Sequence, residues 1–175
     1  VHIAQPSRYD PKAKWQQAKF VFQVNPEGAT YGFYIEKNEG PMDDTWDWPR
    51  FLSSLERDGQ LRTQVGAALR QLGLHWEVYV WDDRGLVAQV RASPSGFLWE
   101  WESDAESEDI QWPGFTDRLR AIEADKWCDL YLCTFLSKED AIAAGLDIVK
   151  AVTEVYRALL PLYEASTPRR HSESG

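Results

Sequence analysis

KFVFQV (residues 19–24) and YGFYIEK (residues 31–37) are the two runs on which the fold turns. Both are rich in β-branched and aromatic residues, and Asn25-Pro26-Glu27-Gly28 between them is a turn signal, so the stretch reads as a β-hairpin. Outward from it, WPRFLSSLERD follows with Trp48, Phe51, Leu52 and Leu55 at helical spacing. Pro49 suits the first turn, and Asp44, Thr45 or Asp47 is the candidate cap. Gly59 closes that helix. A second, from Gln60 to Leu72, carries Leu61, Val65, Ala68, Leu69 and Leu72 on one stripe and stops at Gly73. His75–Asp82, Leu86–Arg91 and Phe97–Glu102, separated by turn residues, predict a three-strand antiparallel meander. Trp112-Pro113 opens a helix reaching about Ala124, Cys128–Phe135 is a strand, and Ser137 caps a long last helix that Pro161 should end or bend.

The expected class is α+β: an antiparallel sheet of about six strands packed against helices, in one domain over residues 1–165, with 166–175 as a polar linker or tail. Short strings recur in order. FVFQV (20–24) matches LVAQV (86–90), and Trp48-Pro49-x-Phe51 with Leu55 returns as Trp112-Pro113-x-Phe115 with Leu119. Two readings are open, an internal duplication of a hairpin–helix–strand unit and chance recurrence of β-rich strings.

The 175 residues are 43% hydrophobic, 27% charged and 13% aromatic, a globular balance that excludes disorder and coiled-coil architectures. No window approaches the roughly 18 consecutive apolar residues of a membrane span, so no membrane partner is expected. The chain starts at Val1 without Met and ends in a polar stretch, and reads as a piece of a larger protein. Its net charge of −9 is the sign opposite to that usual for a nucleic-acid-binding domain. Residues 1–98 are nearly balanced, whereas 99–175 hold the excess. Glu100, Glu102, Asp104, Glu106, Glu108 and Asp109 read as a solvated acidic loop.

Cys128 and Cys133 are an odd number of residues apart, which puts them on opposite faces of a strand. They can share neither a metal nor a disulfide there, and they suit a cytoplasmic protein. His75 is the one histidine outside the tails and reads as structural. With no second histidine and no usable cysteine pair, no metal is expected. Nucleophile-elbow, phosphate-loop and dinucleotide motifs are absent. No catalytic residues and no cofactor are therefore expected.

Tryptophan is the informative residue, at nine positions. A core of this size absorbs two or three indoles, each needing a partner for its N–H. Strand alternation places Trp76, Val78 and Val80 on one face and Glu77, Tyr79 and Trp81 on the other. Tyr34, Tyr79, Trp81 and Tyr131, edged by Lys37, Arg84 and Arg91, make a candidate platform for a flat ligand, the cations touching phosphate or a partner. Gly32 would leave room for a guest close to the backbone. Trp48 and Trp112, at helix starts, are candidate cleft walls. The alternative is that helices cover this face and its rings are core.

YGFYIEK (31–37), DWPRFLSSL (47–55) and the closing ALLPLY (158–163) resemble the N-terminal recognition domains of McrB-type modification-dependent restriction proteins. The resemblance implies a non-catalytic DNA reader, some relatives flipping a modified base into an aromatic pocket. Two expectations follow: a recognition module reading DNA for a defence system, or a protein-interaction or sensor domain bound to another protein or to a further domain of its own chain. The same aromatics and arginines serve either. A carboxylate-based hydrolase is a distant third.

Overall fold

The computed structural model describes residues 2–3, 18–40, 42, 46–81, 85–93, 96–101 and 107–167, with the side chains of residues 2–3, 81 and 85–87 excepted. Among the described residues, eight strands form one sheet: β1 (His2–Ile3), β2 (Lys19–Asn25), β3 (Gly28–Lys37), β4 (His75–Trp81), β5 (Gly85–Ala92), β6 (Phe97–Trp101), β7 (Ser107–Ile110) and β8 (Trp127–Ser137). Their order is β1-β2-β3-β8-β4-β5-β6-β7, and every neighbouring pair is antiparallel. The α+β class, the hairpin (β2–β3) and the meander (β4–β6) are as the sequence predicts. The last strand in the chain lies between the two groups and joins them.

Helices α1 (Asp47–Arg57), α2 (Gly59–Gln71), α3 (Trp112–Arg120) and α5 (Ile148–Ser166) pack on one face of the sheet. Phe33, Ile35, Trp76, Val78, Leu130 and Leu132 meet Phe51, Leu55, Leu69, Phe115 and Leu159 in a single core. Trp76 is fully buried between Phe51 and Phe115, with ring centroids 6.0 and 5.1 Å away. Tyr156 ties α5 to the sheet edge by stacking on Phe20 and donating its hydroxyl to the Val21 carbonyl at 2.8 Å.

Several local expectations are corrected. Glu108 and Asp109 belong to β7 rather than to a loop. Glu108 pairs with Arg118, whose guanidinium lies over Trp99 and Trp101 at 4.9 and 5.4 Å. Asp47 does not cap α1; its carboxylate is buried and accepts from the Ala18 N–H at 2.7 Å. Asp44 and Thr45 lie outside the described residues, as do Glu102, Asp104 and Glu106 of the acidic run. The last helix is broken at Gly145 (φ +52°) into α4 (Lys138–Ala144), a 3₁₀ turn (Gly145–Asp147) and α5. Pro161 does not stop α5. The loss of one helical hydrogen bond, roughly 3 kcal/mol, is offset by Leu159, Leu162, Tyr163 and Ser166, which carry the buried stripe past it. The helix thus includes Ser166, one residue beyond the expected domain end.

The recurrence is visible near the helix starts, where Phe51 of α1 and Phe115 of α3 both reach Trp76. It does not extend to the sheet: β3 neighbours β8, whereas β6, its counterpart by sequence, neighbours β5 and β7. No helix among the described residues is long and apolar enough to cross a membrane.

Candidate functional site

The sheet face turned away from α1, α2, α3 and α5 concentrates acids and rings. Ladder register sets side chains in rows across it. One row runs Lys19, Tyr34, Tyr131, Glu77, Gln89, Glu100; the next includes Glu36, Asp129 and Tyr79; a third includes Gly32, Cys133, His75 and Arg91. Tyr131 links the rows, touching Tyr34 at 4.8 Å and Tyr79 edge-on at 5.8 Å between centroids. Burial pushes its phenol up to about 12.

At the centre, the Tyr34 hydroxyl meets two carboxylates, Glu36 Oε2 and Asp129 Oδ1, the second at 2.7 Å. The Trp127 indole N–H also donates to Asp129 Oδ1, at 3.0 Å. A phenol carries one hydrogen, so one of its two carboxylate contacts needs a proton supplied by the acid. Glu36 is placed to supply it. Burial raises its carboxyl to about 6, against the Tyr34 hydrogen bond and the Lys19 charge that lower it. Its Oε1 is buried with no hydrogen-bonding partner among the described residues. Burial also raises Asp47 to about 6, against the Ala18 N–H and the Arg50 charge.

These shifts fix a sign. From the ordinary values of 4.5 and 3.8 up to about 6, the folded protein holds protons on Glu36 and Asp47 that the unfolded chain has released. Their contribution to stability is fully present below the ordinary values, is lost as pH rises to about 6, and is level above it. Each group contributes on the order of 2 kcal/mol. Glu36→Gln removes one of them. Urea denaturation of this variant at about pH 7.5 is expected to show a gain of about 1–2 kcal/mol over wild type, with a shallower fall in stability between pH 4.5 and 6. An unchanged slope would contradict the assignment.

Beside this cluster lies a hollow of about 310 Å³ lined by Tyr34, Glu39, Trp127 and Asp129, two rings and two acids. The turn that carries Glu39 is fixed from the other side of the sheet. The Lys37 ammonium is buried and donates to the carbonyls of Glu123 at 2.8 Å and Lys126 at 2.6 Å, while Gly40 N–H reaches the Ala124 carbonyl at 2.8 Å. Together they hold the turn after β3 against the α3–β8 loop, and so place Glu39 next to Trp127.

Of the residues expected to bind, Tyr34 lines the hollow, but its ring is no free stacking surface. It is 8% exposed, with Tyr131 packed against it and the Lys19 ammonium 4.9 Å above its centroid. Tyr79 is half-buried on the same face, its hydroxyl donated to Glu77 at 3.1 Å. Trp48 is no cleft wall: it is 3% exposed and packs on Phe51. Trp112 is half-buried and lines a separate hollow of about 230 Å³ with Leu55, Glu56, Arg62, Pro113, Thr116 and Asp117. Lys37 does not face a ligand, because its strand parity turns it to the helix side. Arg91 is exposed and engaged by Gln89 at 2.9 Å and Glu100 at 3.4 Å. The Trp81 backbone pairs with Trp127, but its side chain and all of Arg84 lie outside the described residues. Gly32 leaves no room for a guest, since a Cβ there would fall 2.1 Å from the Leu132 carbonyl oxygen.

Trp127, Asp129 and Glu39 were not singled out by sequence. Alternation along β8 holds the signal, because it sets Trp127, Asp129, Tyr131 and Cys133 on one face. The fold and this face define an α+β sheet module with an acidic, ring-lined hollow. Compared with family models, curated proteins and solved structures, the chain matches none.

Proposed function

We propose that the domain is a recognition module that takes a cationic side chain, lysine or arginine, from a basic segment of a partner polypeptide. The observation that carries this reading is the lining of the hollow: Trp127 supplies the ring, and Asp129 and Glu39 supply carboxylates, beside Tyr34, whose own ring is already taken by Tyr131 and Lys19. An ammonium or guanidinium group gains from both, by cation–π attraction and by charge-assisted hydrogen bonds. The net charge of −9 draws a basic segment toward the domain. The DNA-reading alternative finds less support, because phosphate would face these same carboxylates, with Lys37 buried and Arg91 engaged by Glu100.

Titration of the isotope-labelled domain with short Lys- and Arg-rich peptides, followed by NMR, tests the reading. The Trp127 indole N–H signal is expected to shift with the basic peptides and to stay still with their lysine-acetylated or citrulline counterparts. Asp129→Asn and Trp127→Ala are each expected to weaken binding about tenfold or more, about 1.4 kcal/mol. Binding of duplex DNA at low salt, unaffected by these two changes, would overturn the reading in favour of nucleic acid.

A further inference from the structure

A second cluster on the same face lies outside the hollow. His75 and Glu77 are two apart on β4 and point to one side, and Cys133 on β8 is the ladder partner of His75. One donor atom from each, an imidazole nitrogen, a carboxylate oxygen and the Cys133 sulfur, lie within 4.8 Å of one another. The His75 Nε2 to Glu77 Oε1 distance is 3.0 Å. We infer that His75, Glu77 and Cys133 form a three-ligand site for a divalent transition-metal ion of the zinc class, with the fourth position open to solvent.

The donor set is one that zinc accepts, and the spacing suits it. With bonds of about 2.0–2.3 Å in a tetrahedral arrangement, donors stand about 3.4–3.6 Å apart, so rotation of short side chains on two adjacent strands closes the site. The rigid central strands β4 and β8 fix the ligand backbones. The Tyr79 hydroxyl donates to the other Glu77 oxygen at 3.1 Å, the kind of outer contact that orients a ligating carboxylate. Cys133 is fully buried, whereas the side chains of His75 and Glu77 are 19% and 20% exposed, leaving one side to water. A bound dication takes the sulfur as thiolate, and the thiol proton leaves to solvent. Arg91, in register opposite His75, is the cation facing the group from β5 and is engaged by Gln89 and Glu100.

The site was invisible to spacing along the chain, because its sulfur lies on β8, far in sequence from His75 and Glu77. Cys128, on the helix face, supplies the internal control. Chelator-stripped full-length chain titrated with Co²⁺ is expected to develop visible bands of tetrahedral intensity and a near-ultraviolet thiolate-to-cobalt band at one equivalent, both displaced by Zn²⁺. Cys133→Ser should abolish the thiolate band, and Cys128→Ala should keep it. His75→Asn, at a half-exposed position, should weaken Zn²⁺ binding about 100-fold or more, and Tyr79→Phe, through Glu77, about tenfold. Absence of any thiolate band in the folded wild-type protein would overturn the inference, as would Zn²⁺ affinity unchanged in His75→Asn. Because peptide binding at the hollow is read separately, failure of either result leaves the other standing.

Discussion

Gly32→Ala is expected to remove more than about 4 kcal/mol of stability, a large share of the roughly 5–15 kcal/mol that holds a domain folded. Gly32 lies in β3 opposite Cys133 of β8, at the middle of the sheet. A Cβ at this position would stand 2.1 Å from the Leu132 carbonyl oxygen and 2.7 Å from the Cys133 Cα. Both are backbone atoms of the central strand, so no side-chain rotation relieves the clash. The strands must separate, and Phe33 and Leu132 on the opposite face, each fully buried, must move with them. Gly66→Ala in α2 is the matched control. Its Cβ would meet only the tip of Arg70, at 3.6 Å, and the change should stabilise by about 0.5–1 kcal/mol through helix propensity. Urea midpoints of the two variants, compared with wild type at constant slope, check both. A loss below about 1 kcal/mol for Gly32→Ala would mean that the strands yield more than close packing allows.

Lys37→Met is expected to cost about 3 kcal/mol, although the change places an apolar side chain at a buried position. Burial alone lowers the Lys37 ammonium from its ordinary value, and on that ground methionine should be preferred. The opposing effect is larger. The ammonium satisfies the Glu123 and Lys126 carbonyls at 2.8 and 2.6 Å, with Asn38 and Ala124 carbonyls both at 3.4 Å. Methionine leaves the Lys126 and Asn38 carbonyls without this donor, while the Glu123 and Ala124 carbonyls keep the Lys126 and Gly40 N–H groups; each part-buried acceptor that stays unsatisfied costs about 1–3 kcal/mol. Two measurements check this: the urea midpoint, and hydrogen exchange at Gly40, whose N–H bonds to the Ala124 carbonyl in the same junction. Faster exchange at Gly40 with a matching loss in midpoint is the expected pair of results. The variant should also weaken peptide binding at the hollow, because the junction places Glu39 beside Trp127.

The position of Lys37 was within reach of the sequence. It shares parity with Phe33 and Ile35, so strict alternation along β3 sends it into the helix-covered side rather than to an edge facing phosphate. Trp48 is similar: with Phe51, Leu52 and Leu55 it completes the i, i+3, i+4, i+7 stripe of a core-facing helix, and it is buried as that stripe predicts. The hairpin and the meander were legible because their partners are adjacent in sequence and their turns carry Gly, Pro, Asn or Asp. The place of β8 was not, because nothing local to CDLYLCTF states which strands flank it. The Glu36–Tyr34–Asp129 contact and the His75–Glu77–Cys133 grouping both depend on that placement. They become visible only when the register across β3, β8 and β4 is known.

The order of strands bears on how the protein is made. A ribosome releases β2 and β3, then β4 to β7, and only afterwards the segment that bridges them, so two incomplete half-sheets with bare inner edges exist side by side until residue 137 has emerged. Such edges invite pairing with other nascent chains. A product truncated ahead of Trp127 would therefore be expected to precipitate rather than to persist as a smaller folded body.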